Sequence, residues 1–120
     1  MRRASLDLLD NAKRSVDILS AKFGSDILLL DLNGLTIIAD YFIIATGESV
    51  RQLDAMVEDL RKQLKDEIGL VPLAVEGTAE SGWILVDYGS IVVHLFSEAQ
   101  RQRYRLEELW EQARTVVRMA

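Results

Sequence analysis

The segment from Tyr41 to Pro72 constrains this chain more than any other. Val50, Leu53, Met56, Val57, Leu60, Leu64 and Ile68 recur at spacings of three and four, so a long helix there carries one apolar stripe. Ser49 and Gln52 match a capping box at its start, and Gly69 with Pro72 stops it. Just upstream, Tyr41-Phe42-Ile43-Ile44-Ala45 is aromatic and β-branched, as a buried strand is. A striped helix entered from an apolar strand needs a sheet on which to bury its stripe, which points to an α/β fold.

The remaining segments fit that frame. Leu9, Ala12, Val16, Leu19 and Phe23 form a second helical stripe, and Gly24 stands where a left-handed C-terminal residue is favoured. Ile27-Leu28-Leu29-Leu30, bounded by Asp26 and Asp31, reads as a strand, and Asn33-Gly34 as a turn. Val71 to Val75 reads as a short strand, followed by the polar loop Glu76-Gly77-Thr78-Ala79-Glu80-Ser81-Gly82. Trp83–Asp87 and Ile91–Phe96, separated by Tyr88-Gly89-Ser90, read as a hairpin. Ser97-Glu98-Ala99-Gln100 is another capping-box match and opens a last helical region carrying Tyr104, Leu106, Leu109 and Trp110. The order α-β-β-α-β-β-β-α predicts a single α/β domain on a mixed five-stranded sheet flanked by helices.

The hairpin divides into two unlike faces. Pairing Val86 with Ile91 sets Ile84 against Val93 and Trp83 against His94. One face, Ile84, Val86, Ile91, Val93 and Leu95, is purely aliphatic and belongs to the core. The other carries Trp83, Leu85, Asp87, Val92, His94 and Phe96. Two readings of that mixed face are open: a second layer under a helix, or a partly exposed recognition surface.

Composition excludes several kinds of chemistry. With 120 residues the chain is the size of one domain, and 49% apolar residues are enough for a core. There is no cysteine and one histidine, so disulfides, thiolate sites, cysteine nucleophiles and a histidine-rich metal centre are out. The net charge of −5 argues against sequence-specific nucleic-acid binding and suits a basic protein partner, as it also suits plain solubility. The only locally basic stretch is residues 98–120, with five arginines against four glutamates. No apolar run reaches a membrane span, and Met1-Arg2-Arg3 leads into Asp7 and Asp10 rather than a signal core, so the chain reads as cytoplasmic.

Catalytic constellations are hard to assemble. Gly77 and Gly82 give neither a phosphate-cradling loop nor a dinucleotide fingerprint, so no cofactor is expected. Metal-dependent nucleotidyl transfer needs a close carboxylate pair, whereas Asp31, Asp40 and Asp87 sit at separate strand ends. His94 could act as a general base, but beside Trp83 in a strand a packed, structural histidine is the commoner outcome. Tyr104 and Trp110 suit anchoring to the core and binding a partner equally well.

Several strings together resemble the ribosome-silencing factor family, also called Iojap-like. They are Ala39-Asp40-Tyr41-Phe42-Ile43-Ile44-Ala45-Thr46-Gly47, Ser49-x-Arg51-Gln52, Glu76-Gly77, Trp83-Ile84-Leu85-Val86-Asp87-Tyr88-Gly89, Val92-Val93-His94-Leu95-Phe96 and Arg101-x-x-Tyr104-x-Leu106-Glu107-x-Leu109-Trp110. The likeness covers about residues 5–110; residues 111–120 lie beyond it and receive no role. It implies a nucleotidyltransferase-like fold without catalytic residues. It also implies a translational repressor that binds the large ribosomal subunit through its fourteenth ribosomal protein, blocks joining with the small subunit under nutrient limitation, and is often dimeric when free. Competing functions are a nucleotidyltransferase-fold enzyme and a dimeric adaptor in ribosome assembly. Glu48, Ser90 and Ala99 depart from the family's usual residues. The expected partner surface is the mixed hairpin face with its tip and the start of the last helix: Trp83, Asp87, Tyr88, His94, Phe96, Glu98, Arg101 and Tyr104.

Overall fold

In the computed structural model, which describes the backbone over residues 2–120 and side chains from residue 8 onward, the apolar runs form one six-stranded sheet. The strands are β1 (Ser25–Asp31), β2 (Tyr41–Gly47), β3 (Ala74–Thr78), β4 (Trp83–Asp87), β5 (Ile91–Ser97) and β6 (Arg114–Met119). The helices are α1 (Arg2–Ala21), α2 (Val50–Ile68), α3 (Glu98–Tyr104) and α4 (Leu106–Leu109). The strand order is β3-β4-β5-β2-β1-β6. β2 and β5 are parallel, and every other pair of neighbours is antiparallel.

Both faces of the central pair are buried: every residue of β2, and all of β5 except Ser97. On one face α1 and α2 cover Ile27, Leu29, Ile43, Ala45, Val93 and Leu95. The stripe of α2 enters this core through Leu53, Met56, Leu60 and Leu64, with Val57 partly buried. Val50 and Ile68, at the ends of the stripe, are exposed. On the other face Leu28, Leu30, Phe42, Ile44, Val92 and Phe96 form a second core, packed by Leu106 and Trp110.

The caps behave as the sequence requires, with two changes. Ser49 Oγ accepts from Gln52 N at 3.0 Å, while the Gln52 side chain reaches further than its own cap. Its Nε2 donates to the carbonyls of Lys22 and Phe23 at 3.0 and 2.8 Å, tying the end of α1 to the start of α2. The left-handed residue after α1 is Phe23 (φ 64), not Gly24, and Phe23 leaves the stripe to stand 84% exposed. Gly24 is instead held by crowding: a Cβ there would lie 2.9 Å from the Met56 methyl and 3.0 Å from the Leu19 carbonyl.

Three expectations change at the sheet edges and the C-terminus. The third strand runs over Ala74–Thr78 rather than Val71–Val75, so Glu76, Gly77 and Thr78 are strand, not loop. β3 is an edge strand with mostly exposed residues, so its sequence carries no apolar alternation. Residues 111–120 supply β6, the sixth strand, which pairs with β1 through Leu29↔Val117 and Asp31↔Arg114. The last helical region is broken at Arg105 (φ 46), and α4 sets off in a new direction.

Leu60 is fully buried between α2 and the sheet. Leu60→Ala should destabilise the protein by about 2–5 kcal/mol in urea melts. A loss well under 1 kcal/mol would show that the cavity collapses and the stripe is not what holds α2 down.

Candidate functional site

The hairpin register differs from the sequence expectation by two residues. Val86 faces Val93, Ile84 faces Leu95, Leu85 faces His94 and Trp83 faces Phe96. A shift of two keeps every side chain on its face, so the aliphatic and mixed faces stand as expected. Trp83 now meets His94 along a diagonal, its indole Nε1 donating to His94 Nδ1 at 3.2 Å.

On the mixed face the rings form one continuous cluster. Trp83 lies 4.9 Å from Phe96, 6.0 Å from His94 and 4.6 Å from Tyr104 between centroids. Phe42 meets His94 edge-on at 4.8 Å and Trp110 at 5.7 Å. This face is therefore covered over part of its area and open over the rest. α3 and α4 bury Phe96 and His94, while Trp83 and Leu85 are only partly covered and Tyr104 is 44% exposed. A cleft of about 380 Å³ opens there, lined by Glu76, Gly77, Ser81, Trp83, Leu85, Gln100 and Tyr104.

His94 is a packing group with a fixed tautomer. The indole can only donate, so Nδ1 accepts and the proton resides on Nε2. That Nε2 is buried and has no hydrogen-bond partner. Burial pushes the imidazole down to about 4, so it is neutral in ordinary buffers. No lone pair is left with which it could take a substrate's proton.

The other expected residues divide by location. Arg101 is buried and structural: Nη1 donates to Thr46 Oγ1 at 2.8 Å and Nε pairs with Glu107 at 3.0 Å. Asp87 Oδ1 accepts from Gly89 N at 2.7 Å and so shapes the hairpin turn. Tyr88 stands in the turn at the hairpin tip, its N–H donating to the Ile91 carbonyl at 2.9 Å, but its ring leaves the mixed face. It packs in the aliphatic core under α1 and α2, where burial pushes its phenol up to about 12 against the opposing field of Arg61. Glu98 is exposed at the start of α3, and its carboxylate accepts from Gln102 Nε2. Of the eight residues, Trp83 and Tyr104 line the cleft. His94 and Phe96 support it from below, and Arg101 holds α3 in place.

Glu76, Leu85 and Gln100 also line the cleft, although none is among the eight expected partner residues. Glu76 was hidden by the misplacement of β3. Gln100 serves two ends: its N–H is capped by Ser97 Oγ at 3.2 Å, and its Nε2 donates to the Ser81 carbonyl at 3.0 Å, pinning the β3–β4 turn to α3. The signal for Glu76 was Gly77 (φ 81), whose missing Cβ lets β3 close onto the Trp83 carbonyl, and that for Gln100 was its place three residues after the cap Ser97.

Residues 5–119 match the family described as ribosomal silencing factor during starvation. The chain belongs to that family. It is 42% identical over 92 residues to a ribosomal silencing factor of Bacillus subtilis, covering 77% of each chain. A crystal structure of a Chromobacterium violaceum protein superposes with a TM-score of 0.81 at 35% identity, covering 86% of this chain and 85% of that one. The chain is also 36% identical over 97 residues to mouse mitochondrial assembly of ribosomal large subunit protein 1, covering 79% of this chain and 42% of the mouse protein. The family match runs to residue 119 and takes in β6, which the resemblance read from the sequence had left out.

Among the described residues no helix is long and apolar enough to cross a membrane, and no three acidic or histidine side chains gather as metal ligands would.

The buried neutral His94 makes stability depend on pH. Its folded pKa lies below the ordinary value, so the unfolded chain binds the proton first and stability is lost as pH falls. From about pH 7.5 to about pH 5 this group alone should cost about 2 kcal/mol. His94→Phe keeps an aromatic ring there and should lose that component in urea melts at the two pH values. An identical pH dependence in parent and variant would show that His94 is solvated and titrates normally.

Proposed function

We propose that this protein is a translational repressor that docks on the large ribosomal subunit through its fourteenth ribosomal protein and blocks joining of the small subunit. Its silencing acts when nutrients are scarce, in the cytoplasm, and it works by binding rather than catalysis. The homodimer implied by the family resemblance belongs to the same reading, as a state of the free protein.

The observation that carries the proposal is the open end of the aromatic layer. Trp83, Leu85 and Tyr104 stand beside a cleft that α3 and α4 do not cover. Large rings of this kind, backed by buried neighbours, are what a protein interface uses as anchors. The net charge of −5 suits a basic ribosomal protein. Three features support a non-enzymatic role: His94 has no free lone pair, Asp87 is engaged in its turn, and the relatives bear the names of silencing and assembly factors.

Purified large subunits sedimented with the protein should carry it down, and subunit joining should fall as it is added. Tyr104→Ala and Trp83→Ala should each weaken that binding by about 2 kcal/mol, roughly thirtyfold, with circular dichroism spectra like the parent's. Two folded variants that bind at parental affinity would move the partner surface away from this face.

A further inference from the structure

Glu76-Gly77 belongs to the family-like strings, and Glu76 is not among the eight expected partner residues. The β3–β4 register sets Glu76 opposite Leu85 and Thr78 opposite Trp83, so the Glu76 carboxylate stands on the mixed face at the mouth of the cleft. Among the described residues it takes part in no ion pair. Trp83 and Tyr104 meet at 4.6 Å to form one wall, and Leu85 lies on the floor. Gln100 also lines the cleft, with one N–H of its Nε2 committed to the Ser81 carbonyl and its other N–H and its oxygen uncommitted. The arrangement is held from outside. Gly77 fixes the approach of β3, and Ser81 Oγ donates to the Thr78 carbonyl at 2.7 Å.

An exposed carboxylate beside aromatic rings and an apolar floor favours one kind of occupant. A cation gains from the ring quadrupoles and from the carboxylate together, while its aliphatic stem covers Leu85. An acidic side chain would be repelled by Glu76, and a neutral one would gain nothing from its charge. The chain's own Arg103 already sits 5.7 Å from the Tyr104 ring centroid without lining the cleft. We propose that this cleft is a socket for one basic side chain of the large-subunit partner, with arginine favoured over lysine. A guanidinium can stack on a ring and pair with a carboxylate in one plane, which an ammonium cannot. This inference rests on the mixed face being the partner surface.

The test is equilibrium binding of the full-length protein to purified large subunits at low and high salt. Glu76 is exposed, so Glu76→Gln should fold like the parent while losing only the charge. It should bind about tenfold more weakly at low salt, Glu76→Lys more weakly still, and both deficits should shrink as salt rises. Parental affinity in Glu76→Gln beside a large loss in Trp83→Ala would overturn the socket and leave the partner surface standing. A deficit in Glu76→Gln that ignores salt would also overturn it, since the carboxylate would then act through shape. If Trp83→Ala and Tyr104→Ala also bind as the parent does, the surface itself is misplaced and the socket falls with it.

Discussion

The parallel pairing of β2 with β5 is the constraint on which the rest of the structure depends. Strands that run the same way cannot be joined by a tight turn, so the chain between them must travel out and back. It does so through α2 and the β3–β4 hairpin, which places that hairpin next to β5. A parallel pair is also apolar on both sides, and both sides need cover. α1 and α2 supply one layer with 20 and 19 residues. The opposite layer has only the 7 residues of α3 and the 4 of α4. That shortfall decides where the molecule is open. The short layer covers β2 and β5 and stops before β4, so Trp83 and Leu85 remain accessible at its margin.

The short layer keeps its position through Arg101. This buried guanidinium joins α3 to Thr46 on β2 and to Glu107 on α4, across the break at Arg105. Arg105 adopts left-handed backbone, which costs a non-glycine residue roughly 1 kcal/mol. The break lets Trp110 reach Phe42 on the sheet, at 5.7 Å between ring centroids. Buried ring contact and the Arg101 contacts offset that strain. Removing a partner from a buried charge would cost more than the strain does. The arginines of the C-terminal segment thus have divided work: Arg101 is a tie, and Arg114 pairs with Asp31 across β6 and β1.

What the sequence made legible follows the physics of each signal. The α2 stripe, the buried strands and the two hairpin faces were readable because periodicity survives small errors. A register slip of two residues leaves Trp83, His94 and Phe96 on one side. Edge strands were not readable. Glu76-Gly77-Thr78 and Arg114–Met119 face solvent on much of their surface, and polar residues there look like loop. Phe23 and Tyr88 were misplaced for a related reason, because apolar type does not say which way a terminal residue turns. Phe23 is swung out by its left-handed backbone, and Tyr88 is carried past the end of β4 into the aliphatic core. The cleft depended on both kinds of information. Its Trp83 wall was visible from alternation, and its Glu76 rim was hidden by the edge strand.

The location of the cleft also bears on what kind of protein this is. Open α/β sheets usually hold ligands at the carboxyl ends of their parallel strands, where the connections diverge to opposite faces. Here that place lies beyond Gly47 and Ser97, and its polar groups are committed to the fold. Ser49 Oγ caps α2, Ser97 Oγ caps α3, and Ser97 N donates to the Gly82 carbonyl at 2.8 Å. A Cβ on Gly47 would stand 2.8 Å from Leu53, so α2 sits directly on the strand end. The glycines and hydroxyls that could cradle a small ligand instead close helix ends and bring elements together. The flank of β4 is another open place on the sheet, where Trp83 and Tyr104 lie 4.6 Å apart beside Leu85. There aromatic rings lie beside the exposed carboxylate of Glu76. A surface of that composition is suited to contact with a protein's side chains.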